Sequence, residues 1–205
     1  MTVLKWMMGM IGVVAAHLSY AIAPHNLLIQ KLNAIQAMDA RFEQSVFING
    51  RQISSSEGHF MLKRPGQVRW TIQKPQVQEF ISNGKQVWVY EPGLKQATVK
   101  SAQEGVSGSA GLFLSDQPGF WIQRYKVSLQ ASSNMTVFLM KAKTDKTPFT
   151  KVILGFEKDK LARIEFWDQL GQYSVVKLRQ VKLNSPIASQ VFEFKPPKNT
   201  DIIHL

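Results

Sequence analysis

The stretch "GHFMLKRPGQVRW", residues 58–70, decides the fold. Read as a strand, it puts Phe60 and Leu62 on one face and His59, Met61 and Lys63 on the other. The next residue on the apolar side is Arg64, beside a Pro65-Gly66 turn. Val68, Trp70 and Ile72 continue the same parity beyond the turn. An odd-length loop such as Pro65-Gly66-Gln67 predicts a hairpin with one apolar face, Arg64 standing opposite Val68 at its rim. The next hairpin puts Val87 and Val89 on one side and Trp88 and Tyr90 on the other. Such a face is either an ordinary core or, if its own side chains leave it unfilled, the wall of a lipid pocket formed by Phe60, Leu62, Val68, Trp70, Ile72, Trp88 and Tyr90.

Outward from this hairpin the period-2 pattern persists. Strands are predicted at 42–48, 57–64, 67–73, 77–82, 86–90 and 96–99, then at 125–130, 135–142, 149–157, 161–167, 173–182 and 190–194. Asn49-Gly50, Pro65-Gly66, Asn83-Gly84, Pro92-Gly93 and Gly171 punctuate them. Strands so short and evenly spaced predict a mainly β fold with a few helices, an antiparallel meander curled into a barrel or half-barrel. Before the strands, "HNLLIQKLNAIQAMDARF" carries Leu28, Leu32, Ile35 and Met38 or Asp39 at helical spacing, with Asn26 as candidate N-cap. Between the two strand sets, "SAQEGVSGSAGLFLSDQPGFWIQ" (101–123) mixes Gly and Ser with Leu112, Phe113, Leu114, Phe120 and Trp121. That composition fits a flap that lies on an apolar surface, or a loop and short helix packed permanently on the core.

At 205 residues, 44% of them hydrophobic and 19% charged, the chain is too apolar for disorder and long enough for one domain with a sizeable core. "MTVLKWMMGMIGVVAAHLSYAIA" (1–23) has an early lysine, an apolar run from Trp6 to Ala16 and small residues near its end. It reads as a secretory signal peptide cut after Ala21 or Ala23, leaving a single domain over 24–205. Its removal takes one lysine from 25 basic residues and none from 14 acidic ones, leaving a charge of about +10. Such a surface attracts anionic partners, and export makes nucleic acid the least fitting of them. The chain has no cysteine, which excludes disulfides, thiol chemistry and a cysteine-linked lipid anchor.

Enzyme signatures are missing. His17, His25, His59 and His204 lack metal-ligand spacing, and Glu165 and Asp168 fall on opposite faces of a strand. "EGVSGSAG" has no phosphate-loop lysine, and Gly-x-Ser-x-Gly is absent. No catalytic residue, metal or cofactor is expected.

From about residue 27 onward the chain resembles the LolA family, periplasmic carriers of lipoproteins. The segments that carry the resemblance are "RFEQ" (41–44), "GHFMLKRPGQVRW" (58–70), "PQVQEFISNGKQVWVYEPGLKQATV" (75–99), "WDQLGQYSVVKL" (167–178) and "FEFKPPKNTD" (192–201), in family order. The resemblance implies a strongly curved antiparallel sheet, an incomplete barrel, with helices as a lid over an apolar cavity for acyl chains. It implies a monomeric periplasmic chaperone that takes lipoproteins from an inner-membrane ABC transporter and passes them to LolB, an outer-membrane receptor. LolB shares the fold but is anchored through a cysteine, so the missing cysteine favours the carrier. The alternative is a periplasmic carrier or sensor of another lipid on a related fold. Arg64 falls on the arginine of the family's Lys-Arg-Pro motif, which latches the empty cavity through backbone of the lid. Its expected partners are carbonyls of 108–114, with Leu112, Phe113 and Leu114 as lid residues. One departure is Val68, where many members carry phenylalanine.

Overall fold

A computed structural model describes residues 22–102, 117–130, 132 and 134–205. Residues 1–21 of the expected leader and the expected lid residues 108–114 lie outside the described residues. Helix α1 spans Pro24–Asn33 and α2 Pro118–Ile122. The strands are β1 (Ala37–Ile48), β2 (Arg51–Lys63), β3 (Gln67–Lys74), β4 (Gln78–Asn83), β5 (Gln86–Glu91) and β6 (Gln96–Ser101), then β7 (Tyr125–Gln130), β8 (Thr136–Ala142), β9 (Phe149–Glu157), β10 (Lys160–Asp168), β11 (Tyr173–Leu183) and β12 (Asp201–His204).

All twelve strands form one sheet in the order β12-β6-β5-β4-β3-β2-β1-β11-β10-β9-β8-β7. Two antiparallel meanders, β1 to β6 and β7 to β11, are joined where β11 returns to pair with β1, Phe42 opposite Leu178. The expected single antiparallel meander is therefore corrected: the sheet is mixed, because β12 runs parallel to β6 at the edge. The predicted strand at 190–194 is also corrected. Ser189–Phe192 is a single 3-10 turn, and the strand lies later, at 201–204.

Turn chemistry explains the strand junctions. Asn49 and Gly50 both have positive φ, 50° and 75°, the conformation a two-residue hairpin needs. Gly58 is required for a different reason. A Cβ there would lie 1.9 Å from the Thr71 carbonyl oxygen and 2.8 Å from the Phe42 ring, so only glycine lets Phe42 stack on Trp70 at 4.2 Å.

α1 starts with Pro24 at its first turn, where a missing N–H costs nothing, and Asn26 lies inside the helix rather than capping it. The helix also ends earlier than its apolar spacing predicts. Ile35 and Met38 keep the buried stripe going but belong to the connector and to β1.

Facing residues in the ladder share a side. Trp70 pairs with Phe80 and Phe80 with Val89, which defines an inner face. This face, with Phe42 of β1 and Phe138, Leu154 and Ile164 of the other meander, joins Leu28 and Leu32 of α1 and Trp121 and Ile122 of α2 in one apolar cluster. The opposite, outer face of β3 to β6 buries Ile81, Ala97 and Val99, with Phe192 of the C-terminal segment also wholly buried.

Candidate functional site

The β2–β3 hairpin closes with Lys63 opposite Gln67 and Leu62 opposite Val68. The loop has odd length, as parity requires, but consists of Arg64, Pro65 and Gly66. Arg64 is thus a turn residue beyond the last pair, and the expected Arg64–Val68 pairing is corrected by two positions. Leaving the strand frees its side chain to reach across the sheet end. Its backbone N–H donates to the Gln36 carbonyl at 2.9 Å, and its Nε donates to the Ile35 carbonyl at 2.8 Å.

Those carbonyls follow directly on α1. The chain has already left the helix there, so these carbonyls have no intrahelical donor, and a guanidinium supplies a charge-assisted one. Asn184, at the end of β11 with φ of 56°, holds the same connector from the other side. Its Oδ1 accepts from the N–H groups of Gln36 (2.8 Å) and Ala37 (3.1 Å), and its Nδ2 donates to the Ala34 carbonyl at 2.8 Å. Asn184 was missed in the sequence. Its one local signal, an Asn at a strand end, says nothing of a partner about 150 positions away.

The two cations of Lys63-Arg64 part company here. Lys63, on the outer face, donates to the Ile187 carbonyl at 3.0 Å and to Ser189 Oγ at 2.9 Å in the C-terminal segment. Arg64 serves the inner side.

Phe60, Leu62, Val68 and Trp70 lie together on the inner face, in one buried cluster with Leu28 and Leu32, both 0% exposed. Ile72 continues this face to the far sheet end, where it lines a recess of about 240 Å³ with Gln44, Ser56, Gln78 and Leu94. Trp88 and Tyr90 do not join them. Trp88 pairs with Ile81, which pairs with Arg69, so it faces outward. Trp88 and Tyr90 pack on Phe194 at 5.2 and 5.1 Å, and their place in an inner wall is corrected accordingly. Beside them Arg69 ties the C-terminal segment down, donating to the Val191 carbonyl at 3.0 Å and pairing with Glu79.

The other end of the inner face is closed by α1 and α2, which pack on each other and on β7. Trp121 is buried edge-on to Tyr125, while Phe120 is 56% exposed under the Arg124 guanidinium. A cleft of about 570 Å³ lies between α1, α2 and the Arg64 turn. Tyr125 is buried, and its hydroxyl donates to the Phe149 carbonyl at 3.1 Å; burial pushes its pKa up, against the smaller opposing effect of its hydrogen bonds.

The outer face of β7 to β10 carries a row in register, Lys126 opposite Lys141, Lys141 opposite Lys151, and Lys151 opposite Trp167. Lys151 Nζ sits 3.3 Å over the Trp167 ring, which stacks on Tyr173. Tyr173 in turn donates to Glu165 at 2.6 Å, and burial first, then that carboxylate, raises its pKa.

Taken together, the geometry defines a β-sheet protein that buries an apolar face under a helical cover held by an arginine. Comparison with known proteins makes this specific. The model of the family "Outer membrane lipoprotein carrier protein LolA" matches residues 33–195, and the chain belongs to that family. Its members are periplasmic, non-enzymatic chaperones. An outer-membrane lipoprotein carrier protein of Legionella pneumophila (strain Corby) is 40% identical over 86% of this chain and 88% of its own. One from Azotobacter vinelandii is 33% identical over 86% of each chain. An uncharacterized conserved protein from Thermus thermophilus superposes with a TM-score of 0.56 over 88% of this chain and 97% of that one, at 12% identity, a likeness of fold alone.

Proposed function

We propose that this chain, once relieved of a leader at residues 1–23, carries lipoproteins by laying their acyl chains on the inner face of Phe60, Leu62, Val68, Trp70 and Ile72. α1 occupies that face in the empty state. The observation that carries the reading is the complete burial of Leu28 and Leu32 in one apolar cluster with Phe60, Leu62, Val68 and Trp70, on a helix whose exit is bonded by Arg64. Two leucines on a ten-residue helix stand where cargo would lie, and lifting the helix would uncover the wall.

A curled sheet is part of this reading. α1 packs on β7, and its exit is bonded to the β2–β3 turn, six strands away in sheet order. Flat, those strands would stand roughly 30 Å apart. A helix of ten residues is only about 15 Å long. Curvature into an incomplete barrel, its edges β7 and β12 unjoined, reconciles the two lengths.

Reversibility is the physical demand. Burying a methylene is worth about 0.8 kcal/mol, so three long acyl chains amount to more than about 30 kcal/mol relative to water. That exceeds the roughly 18 to 21 kcal/mol at which non-covalent affinity saturates. Cargo must therefore pass directly between apolar sites, from an inner-membrane ABC transporter to this chain and from it to LolB. A cover that competes for the same face weakens the hold and aids release. Leu112, Phe113 and Leu114 complete the cover in this proposal.

The test is displacement of an apolar fluorescent probe by a purified triacylated lipoprotein. A lipoprotein carrier binds the probe and loses it to the lipoprotein. Binding without exchange would assign the chain to another lipid, and no binding at all would reject a lipid site.

A further inference from the structure

Besides Arg64, the α1–β1 connector is held by Asn184, whose bonds fall on both sides of the Ile35 carbonyl that Arg64 engages. Asn184 lies in the left-handed region, φ 56°, which asparagine tolerates better than most residues. Its own N–H donates to the Ala37 carbonyl at 2.8 Å, carrying the β1–β11 ladder one bond past Met38 and Leu183.

The two ends of the Asn184 carboxamide serve different parts of the chain. Oδ1 accepts from the N–H groups of Gln36 and Ala37, at 2.8 and 3.1 Å, on the strand side of Ile35. Nδ2 donates to the carbonyl of Ala34, the C-cap of α1, at 2.8 Å, on the helix side. Two donors face one end and a carbonyl the other, so these partners fix the orientation of the amide. A movement that lifts α1 off the inner face needs a pivot, and residues 36 and 37 are already stitched to the sheet. The Arg64 backbone N–H adds to that stitching through the Gln36 carbonyl at 2.9 Å. The side-chain bonds that reach beyond the pivot toward the helix are those to Ala34 and Ile35.

We propose that Asn184 is a positioning residue for cargo exchange. Its Oδ1 pins residues 36 and 37 as the hinge of the cover, in the empty and the loaded protein alike. Its Nδ2 is a second, uncharged latch that opens together with the Arg64–Ile35 bond. This rests on the acyl-carrier reading and deepens it: the cover swings about a fixed point and returns to the same seat when cargo leaves.

Asn184→Asp separates the two roles. A carboxylate keeps the acceptor and tolerates the left-handed region, but it has no N–H to give Ala34. In the full mature chain, this variant should hold a labelled triacylated lipoprotein about 2- to 10-fold more tightly than the parent, the worth of one net hydrogen bond. It should lose that lipoprotein correspondingly more slowly to excess unlabelled parent. Asn184→Ala, which loses the hinge as well, should melt below Asn184→Asp. A merely structural asparagine would leave exchange in the aspartate variant at the parent rate, and that result overturns the proposal. NMR of the unaltered protein decides the matter if a variant does not fold. On loading with palmitate, contacts between the Asn184 Nδ2 protons and Ala34 should vanish, while the Gln36 and Ala37 amides stay protected from exchange. Contacts that persist, or protection lost at Gln36 and Ala37 as well, overturn it. A parent that binds neither palmitate nor lipoprotein overturns the carrier reading itself, a result distinct from the others.

Discussion

Replacing Arg64 with leucine removes a directed bond at the helix exit and keeps the backbone bond beside it. The Nε donor to the Ile35 carbonyl, at 2.8 Å and partly buried, is lost, while the backbone N–H bond to Gln36 remains. A charge-assisted hydrogen bond contributes about 1.5 to 3 kcal/mol. If it is made only while α1 covers the inner face, it weights the empty closed state by that amount. Apparent affinity scales with the fraction of binding-competent molecules, so Arg64→Leu should hold cargo roughly ten- to a hundredfold more tightly. The assay loads parent and variant with a labelled lipoprotein, then measures its loss to excess unlabelled carrier and its transfer to LolB. The variant should release slowly and transfer poorly. Arg64→Lys should fall between the two, since an ammonium keeps the charge without the planar geometry. The empty variant should unfold at lower temperature than the parent, and the loaded forms should differ less. Equal hand-off rates for leucine variant and parent would refute the latch, whatever the change in stability.

Three further outcomes follow from the same structure. Asn184→Ala leaves two N–H groups and a carbonyl of the α1–β1 connector without their partner, and should cost about 2 to 3 kcal/mol, read as a melting temperature lower by roughly 4 to 12 °C. Stability should decline as pH climbs above the ordinary tyrosine value of 10.0, because Tyr125 and Tyr173 have raised pKa values and the fold favours their neutral forms. That contribution is complete below the unfolded value and disappears through the raised one; denaturant titrations at alkaline pH check it, with Tyr173→Phe expected to flatten the decline. Lys141→Glu turns two facing like-charge pairs, with Lys126 and Lys151, into opposite-charge pairs. It should stabilise the chain by about 1 kcal/mol at low ionic strength, and the gain should shrink as salt is added.

What the sequence makes legible is local. The parity of 58–72 is correct because side-chain alternation is a property of one strand, and eleven expected strands exist, although β1 and β2 begin at 37 and 51 rather than at 42 and 57, and β2 ends at 63. Register is less local. Arg64 is expected opposite Val68, and the register is instead shifted by two so that Leu62 takes that place, with Arg64 in the turn and bonded to the carbonyl behind α1. The early end of α1 has the same source, since Arg64 and Asn184 together bond the turn-and-bend connector 34–36. Trp88 and Tyr90 mislead for a related reason. Aromatic bulk suggests an inner wall, yet parity opposes them to Val89, and the Phe194 that covers them lies about a hundred residues on.

The two faces of the sheet are closed by different kinds of force, and this decides which of them can open. On the outer face the C-terminal segment is fastened by directed bonds: Lys63 to Ile187 and Ser189, Arg69 to Val191, and the β12 ladder along β6. A lipid offers no replacement for any of these. On the inner face α1 is held along its body by the burial of Leu28 and Leu32 and by Lys31, which donates to the Lys158 carbonyl at 3.2 Å and pairs with the exposed Asp159 at 3.0 Å, a pair of small worth. Acyl chains replace that burial almost in kind, methylene for methylene. The directed bonds concentrate at the helix exit, from Arg64 and Asn184, and of those two it is Arg64 that brings a charge. On the proposed carrier reading the adjacent Lys63 and Arg64 divide the task, one holding a strap and the other a cover that cargo would displace, which makes Arg64, rather than the larger aromatic residues around it, the position of greatest leverage on lipid exchange.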